Sequence, residues 1–306
     1  MFARLANGNI APIRTIEGQA TNLSRTMHGI AYDDKNDEMV IPVALSGAIL
    51  TFKADAAGET PPLRVIQGTR TRLVRPQTVA VDPVNDEILT ADPSMRAVAI
   101  FDRRANGNVA PKRVISGPKT GLLDIVGVAV DPVRNVIVAS SRKGEAGPTG
   151  LFVFDRLANG DVAPLRFIGG PNAKLAHFRQ VTVDIKTGNI FLAQQNTRMK
   201  RPEAYVLDKR REGVADDQED EEGGSQLDRT GFIAVYGPDD NGDVPPRGII
   251  KGPGIRHAGA GGVALNPKKG EVIAVGGNGV STFLVPEFFR DLAKKGAPMT
   301  ADARPK

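Results

Sequence analysis

Short apolar runs, closed off by glycine, proline, asparagine or aspartate, recur along the whole chain. In one stretch Thr78–Asp82 (TVAVD) is apolar and β-branched, and the turn Pro83–Asp86 follows it. Glu87–Ala91 (EILTA) and Ala97–Phe101 (AVAIF) come next, and after an Ala-Asn-Gly-Asn turn Lys112–Ser116 (KRVIS) alternates in character. Continuous or period-two runs of this length, bounded by turn residues, predict β-strands.

The pattern then repeats. The phrase Phe101–Gly117 (FDRRANGNVAPKRVISG) recurs as Phe2–Gly18, Phe52–Gly68, Phe154–Gly170 and Tyr236–Gly252, with its turn glycine at Gly8, Gly58, Gly107, Gly160 and Gly242. Spacings of 50, 49, 53 and 82 residues describe one repeating unit with an insertion in its fourth interval. Four sequential antiparallel strands per unit make a propeller blade. The fold class predicted is therefore an all-β propeller of four-stranded blades. Five inner strands can be aligned: Gly29–Asp33, Thr78–Asp82, Gly127–Asp131, Gln180–Asp184 and Gly262–Asn266. Five blades are the direct reading, and six remain open if the insertion, with its strand-like Ala204–Leu207, holds another.

Pro12–Glu17 (PIRTIE) reads as a fourth strand with no blade before it, whereas the last unit, Gly262–Phe283, lacks a fourth strand. The expectation is a ring closed by the N-terminal strand completing the last blade, which removes an open sheet edge. The domain then covers residues 1–285, with 197–231 inserted on one face. Pro286–Lys295 (PEFFRDLAKK) predicts a short helix, and Ala297–Lys306 a disordered tail.

Composition narrows the chemistry. With no cysteine the chain has no disulfide, no thiolate metal site and no cysteine nucleophile. No apolar run approaches the roughly 20 residues of a membrane-spanning helix, and no charged-then-apolar N-terminal segment reads as a secretory signal. Residues 197–231 hold 7 basic and 10 acidic side chains, a net of −3 against +5 for the chain, which leaves a mildly basic body. The run Asp216–Glu222 (DDQEDEE) reads as solvated and disordered, with pairing to the basic stretch Arg198–Arg211 or a calcium-dependent or basic-partner contact as alternatives.

Strand order places the connections from fourth to first strands, and from second to third, on one face, here called the top. The repeated Asn-Gly pairs lie on the other face and read as positive-φ turns. Asp33, Asp82, Asp131 and Asp184 read as turn caps. Asp239–Asp243 (DDNGD) lacks the spacing of a calcium loop. The residues preceding the inner strands are His28, Gln77, Val126, Arg179 and Gly261, which differ while their neighbours repeat. Close by in sequence stand Arg25, Arg75, Asp124, His177, Arg256 and His257. The candidate ligand-binding rim is thus Arg25, His28, Arg75, Gln77, Asp124, His177, Arg179 and His257. Within it His28, His177 and His257 are a candidate site for a divalent metal such as zinc, or for an anion. No other cofactor is indicated.

The units Pro111–Gly117, Thr120–Leu122 and Gly127–Pro132, of the form P-x-R-x-I-x-G, T-x-L and G-V-A-V-D-P, resemble the NHL-repeat propellers of bacterial surface and secreted proteins. The resemblance implies the fold and an extracellular or periplasmic location; the repeat itself serves binding modules, enzymes and scaffolds alike. Gluconolactonase-like propellers, a related group, hold a metal at the channel mouth with a glutamate, asparagines and an aspartate. The positions here are His28, Gln77, Val126, Arg179 and Gly261, so that activity does not carry over.

Two functions follow as expectations. The first is a binding or scaffold propeller presenting its top face to a protein or other macromolecule, favoured because no nucleophile elbow occurs. The alternative is a metal-assisted hydrolase or lyase at the channel mouth, with His177 or His257 as base and Arg179 stabilising an anion. No tryptophan and only Tyr32, Tyr205 and Tyr236 argue against a nucleic-acid partner that stacks bases.

Overall fold

In a computed structural model of the chain, the residues described are 1–24, 27–142, 148–175, 177–195, 231–252, 255, 260–276, 279–290, 292 and 299–302. They form five antiparallel sheets arranged in a ring, a five-bladed β-propeller. Blade 1 holds β1 (Ala31–Asp33), β2 (Glu38–Val43), β3 (Ala48–Lys53) and β4 (Arg64–Ile66). Blade 2 holds β5 (Thr78–Asp82), β6 (Glu87–Asp92), β7 (Ala97–Asp102) and β8 (Arg113–Ser116). Blade 3 holds β9 (Asp124–Asp131), β10 (Val136–Arg142), β11 (Gly150–Asp155) and β12 (Arg166–Ile168). Blade 4 runs β13 (His177–Val183), β14 (Ile190–Gln195), β15 (Phe232–Tyr236) and β16 (Gly248–Lys251). Blade 5 has β17 (Gly262–Asn266), β18 (Glu271–Gly276) and β19 (Gly279–Leu284). Ala204–Leu207, the candidate for a sixth blade, lies outside the described residues.

The core lies between blades rather than inside one. Leu89, Ile100 and Ile115 of blade 2 pack with Ile125, Phe152 and Phe154 of blade 3. Val138 and Val153 of blade 3 pack with Phe178, Leu192 and Tyr236 of blade 4, and Phe191, Ile233 and Ile250 pack with Val272 and Phe283 of blade 5. The middle strands of blades 1 to 4 bury one row of side chains against each neighbouring blade, which is why their runs read as continuous rather than alternating.

The repeated turns are clasps. Ile66, Ile115 and Ile168, at or next to the ends of β4, β8 and β12, make parallel bridges to Gly107, Gly160 and Gly242 in the turn of the following blade. The side-chain oxygens of Asn106, Asn159 and Asn241 accept the N–H groups of Val65, Val114 and Phe167. A second layer is ionic. Glu87 at the start of β6 takes Arg113 of its own blade at 2.7 Å and Arg156 of the next at 3.1 Å, and Glu38 takes Arg64 at 2.5 Å and Arg103 at 2.9 Å in the same way. The turn-cap reading of the aspartates holds: Asp33, Asp82 and Asp131 are buried and accept two backbone N–H groups each.

Closure of the ring differs in detail from expectation. The last sheet has three strands, and Pro12–Glu17 makes no ladder with β19. The reason is local: the N–H groups of Ile13 and Arg14 are taken by the carbonyl of Met1, at 2.9 and 3.4 Å. The segment still sits where a fourth strand would, because Ile16 bridges Gly58 of blade 1 as Ile66 bridges Gly107. Arg4 reaches back to Glu271 of blade 5 at 2.8 Å. Two C-terminal expectations are also corrected. The helix is a single 3-10 turn, Pro286–Phe289, followed by an extended Arg290, with Phe288 buried and its carbonyl held by Asn189. The tail contributes β20 (Met299–Asp302), parallel to β16 on the outer edge of blade 4. None of the described helices is long and apolar enough to cross a membrane.

Candidate functional site at the channel mouth

The inner strands β1, β5, β9, β13 and β17 line a central cavity of about 450 Å³. Its walls are aliphatic and mostly small or β-branched, among them Ala31, Ala80, Val128, Val181 and Val263, with Leu265. Gln180 stands at its top end. Three of the five inner strands place glycine there (Gly29, Gly127, Gly262), and Gln180 extends over two of them. Its amide donates to the His28 carbonyl of blade 1 at 3.3 Å and accepts from Val263 N–H of blade 5 at 3.3 Å. A Cβ on Gly262 would stand 2.7 Å from Gln180 Oε1, so the glycine makes room for the bridge.

Two irregular strands bring charge to this mouth. The β13–β14 ladder breaks between Phe178 and Val181, leaving Arg179 and Gln180 outside the regular pairing. The β9–β10 ladder shifts between Ser140 and Ser141. Bulges re-aim side chains, and they gather beside functional sites. Here both are pinned: Ser140 Oγ, fully buried, donates to the Arg179 carbonyl at 3.0 Å. Asp124 and Arg142 face each other across β9 and β10 in an ion pair of 2.8 Å.

The result is a basic rim. Burial in part, then the charges of Arg179 and Arg75, holds the His28 imidazole below its ordinary value. His177 is lowered by partial burial and by Arg142 and Arg179, against an opposing pull from Asp124. Burial and the neighbouring Arg142 make the Arg179 charge itself less favourable. Both imidazoles are therefore neutral near pH 7, inside a ring of guanidinium groups. Further along the same face stand exposed Arg70, Arg72 and Arg96, with Lys119 and Lys174. The acids near them among the described residues of blades 2 to 4 are Asp92 and Asp124, with Asp161 and Asp243, whose carboxylates accept the N–H groups of Lys119 and of Asn172 and Ala173. Asp92 is buried and its carboxylate is occupied by four backbone N–H groups.

The structure sorts the expected rim residues. His28, Arg75 and His177 are exposed at the mouth and Arg179 and Asp124 half-buried beside them. His177 and Asp124 lie on strands rather than in loops, because β13 and β9 run longer than their apolar cores. Gln77 is buried, so it does not belong to the rim; its backbone N–H instead continues the β6 ladder at Ala91. Val126 is buried in the interblade core. Arg25 and His257 lie outside the described residues, so the three-histidine arrangement is defined here only by His28 and His177. Among the described residues no three His, Asp or Glu side chains are placed to share a metal. Arg142 and Gln180 were missed from sequence. Gln180 had a readable signal, a long polar side chain where aligned strands carry glycine. Arg142 had none, since its role depends on the bulge.

The chain matches no protein family and no curated protein.

Proposed function

We propose that this chain is a binding propeller that holds an acidic segment of a partner protein across its top face. The observation that supports it most is the sorting of charge by topology. Among the described residues, the loops that the strand order sends to the top of blades 2 to 4 carry Arg70, Arg72, Arg75, Arg96, Arg142 and Arg179, and the acids described there, Asp92 and Asp124, are engaged in capping and in the Arg142 pair; the acid-rich insertion 197–231 leaves from the same face. Such a surface steers acidic partners and raises their association rate. Gln180 crosses the mouth, so a ligand arriving from this side meets a platform rather than a deep pocket. The described top-face loops expose no aromatic side chain, which disfavours a base-stacking nucleic acid. The NHL-repeat resemblance and a place outside the cytoplasm belong to the same reading.

The test is fluorescence anisotropy with a labelled oligoglutamate peptide at low and high salt. Expected is salt-sensitive binding that falls roughly tenfold in the double variant Arg75→Glu, Arg96→Glu. Arg104→Glu, on the opposite face, leaves it unchanged. Equal binding by all three proteins, or none by the wild type, overturns the proposal.

A further inference from the structure

Four blade turns contain the same Asn-Gly step, and they form a matched set. Gly8, Gly107, Gly160 and Gly242 share φ values of 79, 78, 79 and 78°. Asn7, Asn106, Asn159 and Asn241 are all exposed. Turn shape and exposure therefore do not distinguish them. Their hydrogen bonds do.

In three turns both groups are held by the preceding blade. Asn106 Oδ1 accepts Val65 N–H at 2.9 Å while Gly107 N–H donates to the Val65 carbonyl at 2.6 Å. Asn159 and Gly160 grip Val114 in the same way at 3.0 and 2.7 Å, and Asn241 and Gly242 grip Phe167 at 3.1 and 2.6 Å. Among the described residues the Asn7 amide and the Gly8 N–H have no hydrogen-bond partner. The matching place on blade 4, beside Ile250, is taken by Ala301 of β20.

We propose that Asn7 is a site of spontaneous backbone modification, selected from four equivalent steps by the absence of a clasp. The Gly8 amide nitrogen, after losing its proton to base, attacks Cγ of Asn7. A C–N bond forms, the bond to the side-chain nitrogen breaks, and ammonia leaves, closing a five-membered succinimide. Water then opens either ring C–N bond, giving an aspartyl or an isoaspartyl residue with no change in oxidation state. In the clasped turns the nitrogen's hydrogen is directed at a neighbouring carbonyl and the carboxamide at a neighbouring N–H, so reaction requires parting two blades. The product places a carboxylate close in sequence to Arg4, the residue that ties the N-terminal segment to Glu271.

The experiment is incubation of the full chain at mildly alkaline pH, native and in denaturant, with peptide mapping by mass spectrometry over time. Native protein is expected to lose ammonia at Asn7 at least about tenfold faster than at Asn106, Asn159 or Asn241, the loss of two hydrogen bonds setting that scale. In denaturant the four rates converge. Native rates that are equal at all four steps, or slow at Asn7 as at the others, overturn the proposal. So does an Asn7 preference that persists undiminished in denaturant, since local sequence would then be its cause.

Discussion

Single residues at the mouth have assignable consequences. Gly127 sits under the Arg179 bulge, where a Cβ would stand 2.7 Å from the Arg179 carbonyl oxygen and 2.6 Å from Ser140 Oγ. Gly127→Ala is expected to cost about 2 kcal/mol in denaturant melts and to weaken acidic-peptide binding by displacing Arg179. His28 and His177 are held below the ordinary 6.5. The unfolded chain therefore takes up protons first as pH falls; their contribution to stability is complete above 6.5 and lost as pH falls through the lower folded values. A bound carboxylate offsets the arginine repulsion and raises both imidazoles, so peptide binding should tighten as pH drops below 6.5. The double variant His28→Gln, His177→Gln should flatten that dependence in anisotropy titrations. The charged rim was legible in part: His28 and Arg179 follow from aligning the repeats and Arg75 and His177 stand close by in sequence, while Gln77 and Val126 align equally well and turn inward. Repeat alignment gives sequence position but not the bulge that decides which side chain reaches the mouth.

At the scale of elements the clasps carry the ring. Burial pushes the Glu87 carboxyl up, but Arg113 and Lys112 outweigh it and hold it at about 2. A depressed carboxyl contributes stability above its unfolded value of 4.5, and the contribution is lost as pH falls toward 2. Glu87 is buried, so Glu87→Gln leaves three cations without their acid and should cost about 3 kcal/mol. Blade 3 gives the internal control. Where Glu38 and Glu87 stand it has Val136, and Arg166 is half-buried with its charge disfavoured by that burial. Arg113→Met should therefore destabilise by about 3 kcal/mol and Arg166→Met by less than about 1 kcal/mol, read from chemical denaturation. The strands and turns were legible because period and turn residues are local signals. The clasps were not: Asn106 bonds a strand 41 residues away, and no spacing rule announces that. The helix read in Pro286–Lys295 starts where expected but gives way to extended backbone at Arg290 for the same kind of reason, since Asn189 and Arg247 of blade 4 hold the carbonyls of Phe288 and Leu292.

For the whole molecule, neighbouring blades share buried clusters from blade 1 round to blade 5, whereas among the described residues none joins blade 5 to blade 1. That seam is spanned by the Arg4–Glu271 pair, the Ile16–Gly58 bridge and Gln180 across the mouth. Hydrogen exchange should therefore open blade 5 and the N-terminal segment before blades 2 and 3. Ring architecture and blade number were readable from the repeat, because every unit states the same four strands. The place of the N-terminal segment as the missing fourth strand was readable too, but not its lack of ladder pairing, because Met1 competes for the donors of Ile13 and Arg14. The claim that function lies on the basic top face is tested most directly by a hydrogen-exchange footprint with an oligoglutamate peptide bound. Added protection centred on 67–77, 93–96 and 177–180 is the predicted result; protection confined to the turns at the far end of the inner strands, 83–86 and 132–135, would contradict it.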